Sequence, residues 1–115
     1  MNTSNYLKNG NHPNAVSIAG RAPDWYKGKQ YKKLAPKYFF FKKFKDEWDE
    51  KYGDEEYYIE QYNKEVLSKL DPMKVYEELG GDAVLLCWEK PGEFCHRHIV
   101  AKWLSKELHI EVKEI

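Results

Sequence analysis

The sequence predicts an α/β fold: a small three-layer unit whose short, mostly parallel sheet of about three strands is flanked by helices. Two observations carry this. The first is the apolar run Ala83-Val84-Leu85-Leu86-Cys87-Trp88, bounded by Gly80-Gly81 and by Glu89-Lys90-Pro91-Gly92. Such a run reads as a strand buried on both faces. The second is that strand-like runs alternate with segments whose apolar residues recur every three or four positions. Strands joined through helices are normally parallel, with right-handed crossovers.

In chain order, residues 1–13 read as a flexible lead-in of Asn, Gly, His and Pro with few apolar residues. Residues 14–19 (Asn-Ala-Val-Ser-Ile-Ala) read as a short strand, and Gly20-Arg21-Ala22-Pro23 stops it. Residues 24–34 read as loop with a helical turn. A helix follows over about 36–52, with Pro36 at its first position and Tyr38, Phe41, Phe44 and Trp48 as its apolar stripe. Gly53 ends it.

Asp54 caps the next helix, where Glu55 and Glu56 suit the positive helix end. Its stripe is Ile59, Tyr62, Val66 and Leu70. Asp71-Pro72 opens a third helix that runs to Leu79. After the 82–88 strand, a helix starts near Phe94 or Cys95 and runs to Leu108 on a stripe of Ile99, Val100, Trp103, Leu104 and Leu108. Residues 109–115 alternate apolar and polar, as an edge strand with one solvated face does. Residues 14–115 thus form one α/β domain, which suits a chain of 115 residues. A core of this size also suits a homodimer.

The net charge is zero but unevenly divided. Residues 1–45 hold ten Lys/Arg and one acid, and residues 46–115 hold nine Lys/Arg and eighteen acids. The basic part either faces an anionic partner or docks on the acidic part of its own fold. Within it, Lys37-Tyr38-Phe39-Phe40-Phe41-Lys42-Lys43-Phe44-Lys45 interleaves aromatics with lysines. Its helical periodicity favours a core-facing helix with a solvated basic face over nucleic-acid contact. Two cysteines, no secretory signal and no run long enough to cross a bilayer point to the cytoplasm and away from membranes. Free thiols, not a Cys87–Cys95 disulfide, are the default in that compartment.

Ligands in open parallel sheets bind beyond the carboxyl ends of the strands. Two of the expected strands end in chemically loaded segments, one in Gly20-Arg21 and one in Cys87-Trp88-Glu89. Ser17, Arg21, Glu89, Cys95 and Arg97 therefore fall on one sheet edge. The N–H groups that open the helix at Cys95-His96-Arg97 lack intrahelical partners and favour an anion. Arg21 and Arg97 would add bidentate hydrogen bonds. Trp25 would stack on a base or cover the core. The same helix start would stabilise a Cys95 thiolate. Glu89 reads either as a structural ion pair or as an acid, base or nucleophile, and Cys87 as a buried inert thiol or a ligand contact. His96 serves either to satisfy loop carbonyls or to touch the ligand. Cys87, Cys95, His96 and His98 could be drawn as zinc ligands, but the usual short paired spacing is absent. No metal and no cofactor is therefore expected.

The stretch from Val84 through Leu-Cys-Trp-Glu to Cys95-His96-Arg97-His98 resembles the signature of the domain-of-unknown-function 488 family. In that family a strand ending in Leu-Cys-x-Glu is followed by a loop and Cys-His-Arg. Ser17-Ile18-Ala19-Gly20-Arg21-Ala22-Pro23, Trp25-Tyr26-Lys27-Gly28 and Leu34-Ala35-Pro36 are a softer match. The resemblance spans residues 14–115 and implies a compact α/β fold with a pocket at the Cys-His-Arg loop. The chain departs from longer members in its short middle and in lacking their central Gly-Gly motif.

The leading expectation is a protein that binds a nucleotide-like or other phosphorylated small molecule at the Cys95-His96-Arg97 helix start, with Glu89 and Cys95 as the groups for any chemistry. Binding without turnover stays open. The alternatives are cysteine-based catalysis through Cys95, as sulfur transfer or phosphate-ester hydrolysis, and a non-enzymatic module that sequesters nucleic acid or ligand. The zero net charge disfavours nucleic acid.

Overall fold

The computed structural model describes residues 1–37, 55–90 and 93–115. All pairings in its five-stranded sheet are parallel. The strands are β1 (Asn2–Asn5), β2 (Ala15–Ser17), β3 (Lys29–Gln30), β4 (Val84–Cys87) and β5 (Lys113–Glu114), in the order β3-β2-β4-β1-β5. The helices are α1 (Tyr6–Asn9), α2 (Glu55–Glu65), α3 (Pro72–Leu79) and α4 (His96–Leu108). The expected α/β class with a parallel sheet is what the structure shows. Among the described residues, no helix is long and apolar enough to cross a membrane.

β4 owes its place near the centre to its composition. All four of its residues are buried, and their alternation feeds two separate cores. Leu85 packs with Val16, Ile18, Tyr62, Val75, Val100 and Leu104 on the face covered by α2, α3 and α4. Val84 and Leu86 pack on the other face with Tyr6, Ala15 and Tyr26, and Cys87 at the strand's end belongs to the same cluster. Full burial of a leucine is worth about 1.5–3 kcal/mol, so Leu85 and Leu86 alone fix the strand firmly between its neighbours.

The expectation of a flexible lead-in over residues 1–13 is corrected: this segment supplies β1, an inner strand. β1 pairs with β4 on one side, with Asn5 opposite Cys87, and with β5 on the other. Its sequence, Asn-Thr-Ser-Asn, has no apolar signal. Thr3, Ser4 and Asn5 are buried all the same, because each of these polar side chains has a partner. Thr3 donates to Glu114, Ser4 donates to the Ile115 carbonyl at 3.0 Å and accepts from Asn9, and Asn5 caps α1 by accepting from the Lys8 N–H at 2.9 Å.

Other differences are smaller. Residues 24–34 contain the expected helical turn, at Lys32–Leu34, but also the short strand β3. In α2 the buried residues are Tyr58 and Tyr62, while Ile59 of the expected stripe is 38% exposed. α3 begins as expected, with the Asp71 side chain accepting from the Met73 N–H and Pro72 in the first turn. It ends at Gly80, whose φ of 91° suits glycine. The core of α4 is carried by Val100 and Leu104. The helix expected over 36–52, with Tyr38, Phe41, Phe44 and Trp48, lies outside the described residues from 38 onward, as do Pro91 and Gly92.

Candidate functional site

The topology opens a crevice between β2 and β4. From β2 the chain leads outward to β3 at one edge, and from β4 it leads through α4 to β5 at the other. Chains that leave adjacent strand ends in opposite directions create the crevice in which α/β proteins bind ligands. A cavity of about 490 Å³ lies there. After β2 it is lined by Ala19, Gly20 and Arg21, and after β4 by Trp88 and Glu89. Phe94, Cys95 and His96 close it at the start of α4, Tyr58 enters from α2, and Cys87 and Pro36 complete the wall.

The aromatic groups are held in place by one another. Tyr58 makes an edge contact with Phe94 at 5.1 Å between centroids and stacks on Tyr62. Tyr62 is anchored by donating to the Leu34 carbonyl at 2.6 Å. Trp88 is half exposed at the mouth, where its indole N–H donates to the Arg21 carbonyl at 2.7 Å. That bond ties the loop after β4 to the loop after β2. The Arg21 side chain extends into solvent, 3.8 Å from Asp24, an exposed pair worth little.

Glu89 projects its charge onto phenols from two elements. Burial raises the Tyr58 hydroxyl far above its ordinary range, and the Glu89 carboxylate adds to the rise. Burial likewise raises the Tyr6 hydroxyl against the opposing Ser17 hydrogen bond, and Tyr26 and Glu89 push it the same way. Both tyrosine hydroxyls therefore stay neutral at physiological pH.

Two of the residues that line the cavity are cysteines. Cys87 at the end of β4 and Cys95 at the start of α4 are joined as a disulfide, where free thiols were the default expectation. The neighbours of the two sulfurs differ. The Arg97 Nη1–H donates to Cys87 Sγ at 3.0 Å. Cys95 Sγ lies 3.7 Å from His96 Nδ1. His96 Nε2 sits 2.8 Å from the Ile18 carbonyl oxygen. A carbonyl can only accept, so Nε2 carries a proton, and in the neutral imidazole Nδ1 then presents its lone pair toward Cys95. Cys87 Sγ, Cys95 Sγ and a His96 ring nitrogen all lie within 4.8 Å of one another.

The residues singled out in the sequence thus divide. Arg21, Cys87, Glu89, Cys95 and His96 meet at the cavity. Arg97, Ser17 and Trp25 are elsewhere. Arg97 is fully buried, its guanidinium bonded to Glu114 at 3.1 and 2.8 Å. Ser17 is buried 2.6 Å from the Tyr6 hydroxyl, and Trp25 packs its edge on Tyr6 near Gly10. Tyr58, Trp88 and Phe94 are wall residues that the sequence reading did not assign to the site. The aromatic Phe94 beside the Cys-His-Arg motif was the available signal for one of them.

The family model described as "DUF488-N3a: Active DUF488-N3 subclade" matches residues 6–108. The chain belongs to the DUF488 family. The match takes in β2, β4, α4 and every cavity residue named above, so the expected resemblance and the site coincide. No curated protein and no solved structure matches the chain.

Proposed function

We propose that this DUF488 protein binds a nucleotide-like small molecule in the cavity between β2 and β4, with Glu89 as its principal polar contact. The observation that carries the reading is a carboxylate placed among the rings of Tyr58, Trp88 and Phe94 at the carboxyl edge of a parallel sheet. Ligand sites commonly occupy about 300–1,000 Å³, mostly apolar with a few aimed polar groups. An aromatic-walled cavity favours a flat ring, and an ionised carboxylate only accepts hydrogen bonds. Together they select a heterocycle or sugar that presents N–H or O–H donors. An anionic end of such a ligand would lie at the rim, near Arg21 and the start of α4, where Cys95 provides no side-chain cap for the helix N–H groups.

Arg97 takes no part in this reading, because Glu114 occupies its guanidinium. Phosphate-ester hydrolysis through Cys95 loses support for the same reason, since it needs an available arginine beside the nucleophile. The description of the matched subclade as active accords with turnover of the bound molecule, with Glu89 as its acid, base or nucleophile.

The test is a thermal-shift screen of the full chain against nucleobases, nucleosides, nucleotides and sugar phosphates. A ligand specific to the folded state raises Tm as its concentration exceeds Kd. The expected result is a shift with one chemical class that Trp88→Ala diminishes. Glu89→Gln should retain at least part of the binding and lose any turnover. Absence of a shift with every class, in a cooperatively folded sample, would overturn the reading.

A further inference from the structure

We infer that Cys87 and Cys95 are a reversible thiol–disulfide couple that exchanges with a low-molecular-weight thiol entering the cavity. Three observations support it, the first of which is the same cavity. Both cysteines line a cavity able to admit a small molecule, although each is almost wholly buried. The cation of fully buried Arg97 donates a hydrogen bond to Cys87 Sγ, and this stabilises a thiolate there. His96 Nδ1 faces Cys95 Sγ while Nε2 is held by the Ile18 carbonyl, so in the neutral imidazole Nδ1 can accept that thiol's proton.

The asymmetry sets the direction of exchange. An incoming thiolate forms a new S–S bond to Cys95 Sγ while the Cys87–Cys95 bond breaks, and Cys87 leaves as the thiolate stabilised by Arg97. A second thiolate attacks the small molecule's sulfur in the mixed disulfide. It releases Cys95 as a thiolate and a symmetric small-molecule disulfide. The protein disulfide gains two electrons and the two small thiols lose them. The protons of those thiols pass to solvent or to the protein sulfurs. In the oxidising direction His96 Nδ1 takes the Cys95 proton, and the Cys95 thiolate attacks the small disulfide.

The experiment equilibrates the full chain with mixtures of reduced and oxidised glutathione. Both thiols are then trapped by alkylation and counted by mass spectrometry, while circular dichroism confirms the fold. The expected result is one reversible transition from disulfide to dithiol as the ratio of reduced to oxidised glutathione rises. A pair that stays oxidised in excess reduced glutathione while folded is a structural bridge, and it overturns the inference. So does a pair that stays reduced in excess oxidised glutathione, or a reduced protein carrying stoichiometric zinc on the two sulfurs and His96. Arg97→Lys supplies the second arm. One ammonium cannot serve both Glu114 and Cys87 as the guanidinium fork does, so the midpoint ratio should move about tenfold toward the disulfide. An unmoved midpoint in a folded Arg97→Lys protein removes the role given to Arg97.

Discussion

Arg97 and Glu114 form a two-point ion pair in which the guanidinium is fully buried and the carboxylate side chain is 26% exposed. It joins the first turn of α4 to the edge strand β5, and Thr3 of β1 completes the carboxylate's partners. Removing one member of a buried pair leaves an uncompensated charge, at a cost of about 3–5 kcal/mol. Because the cation is the more deeply buried partner, Glu114→Ala should be more destabilising than Arg97→Ala in urea denaturation. Arg97→Met combined with Glu114→Leu should recover most of the loss, since well-packed apolar replacements of buried pairs are often neutral. Independent, additive losses would show that the pair does not act as a unit.

Stability should fall in two steps on acidification. Burial holds the His98 imidazole below its usual range, aided by Arg97 and opposed by Glu114, the Glu93 backbone and Glu89. Its contribution is complete above the unfolded value near 6.5 and is lost as pH falls through the lower folded value. Burial alone would raise Glu114, but the Arg97 and Thr3 hydrogen bonds and the Arg97 charge more than reverse this. Its contribution is complete above 4.5 and is lost as pH falls through its depressed folded value. Urea denaturation across this range should show a His98→Gln protein without the first step and a Glu114→Gln protein with a shallower second one.

Deleting residues 1–5 should abolish the cooperative unfolding transition. A flexible lead-in would be dispensable. β1, however, lies between β4 and β5 and carries the Asn2 N–H bond to the Ala83 carbonyl at 3.0 Å. Its loss exposes one full edge of β4 and detaches β5. A truncated protein that still melts cooperatively with an unchanged midpoint would contradict the placement of β1.

The contrast between β1 and β4 shows what the sequence made legible. Val-Leu-Leu-Cys between glycines and a loop can be read without a structure, because burial on both faces demands an apolar run. Asn-Thr-Ser-Asn cannot, because its burial depends on partners more than one hundred residues away, Glu114 and Ile115. The site divides in the same way. The strand-end rule pointed to Glu89, Cys95 and Arg21, which line one cavity. It also pointed Arg97 at the ligand, since no local pattern shows that Glu114 claims that guanidinium first. Tyr58 reaches the wall from a distant helix, and its position on α2 follows from the tertiary packing of Tyr62 and Phe94.

Ser17→Ala should destabilise the protein without weakening ligand binding. The Ser17 hydroxyl and the Tyr6 hydroxyl satisfy each other inside the second core. Truncation leaves a buried phenol without that partner, which costs about 1–3 kcal/mol. Since Ser17 does not line the cavity, affinity measured on the folded fraction should stay unchanged. A selective loss of affinity would return Ser17 to the ligand site.

Trp88→Phe offers the opposite separation. The indole is 55% exposed, so exchanging it for another aromatic ring removes little buried area. What disappears is the 2.7 Å hydrogen bond to the Arg21 carbonyl, which joins the two loops at the mouth. A partly exposed neutral hydrogen bond contributes about 0.5–1.5 kcal/mol, so Tm should change only slightly. The effect on ligand binding should be larger than on stability, because Glu89 follows Trp88 directly and depends on the same loop for its position. Calorimetry with the ligand found in the thermal-shift screen should therefore show affinity weakened several-fold, roughly the factor of 5–10 that ~1–1.4 kcal/mol represents. Equal affinity for Trp88→Phe and the unaltered protein would mean that the strap does not shape the cavity, and that the ring face of Trp88 is its sole contribution.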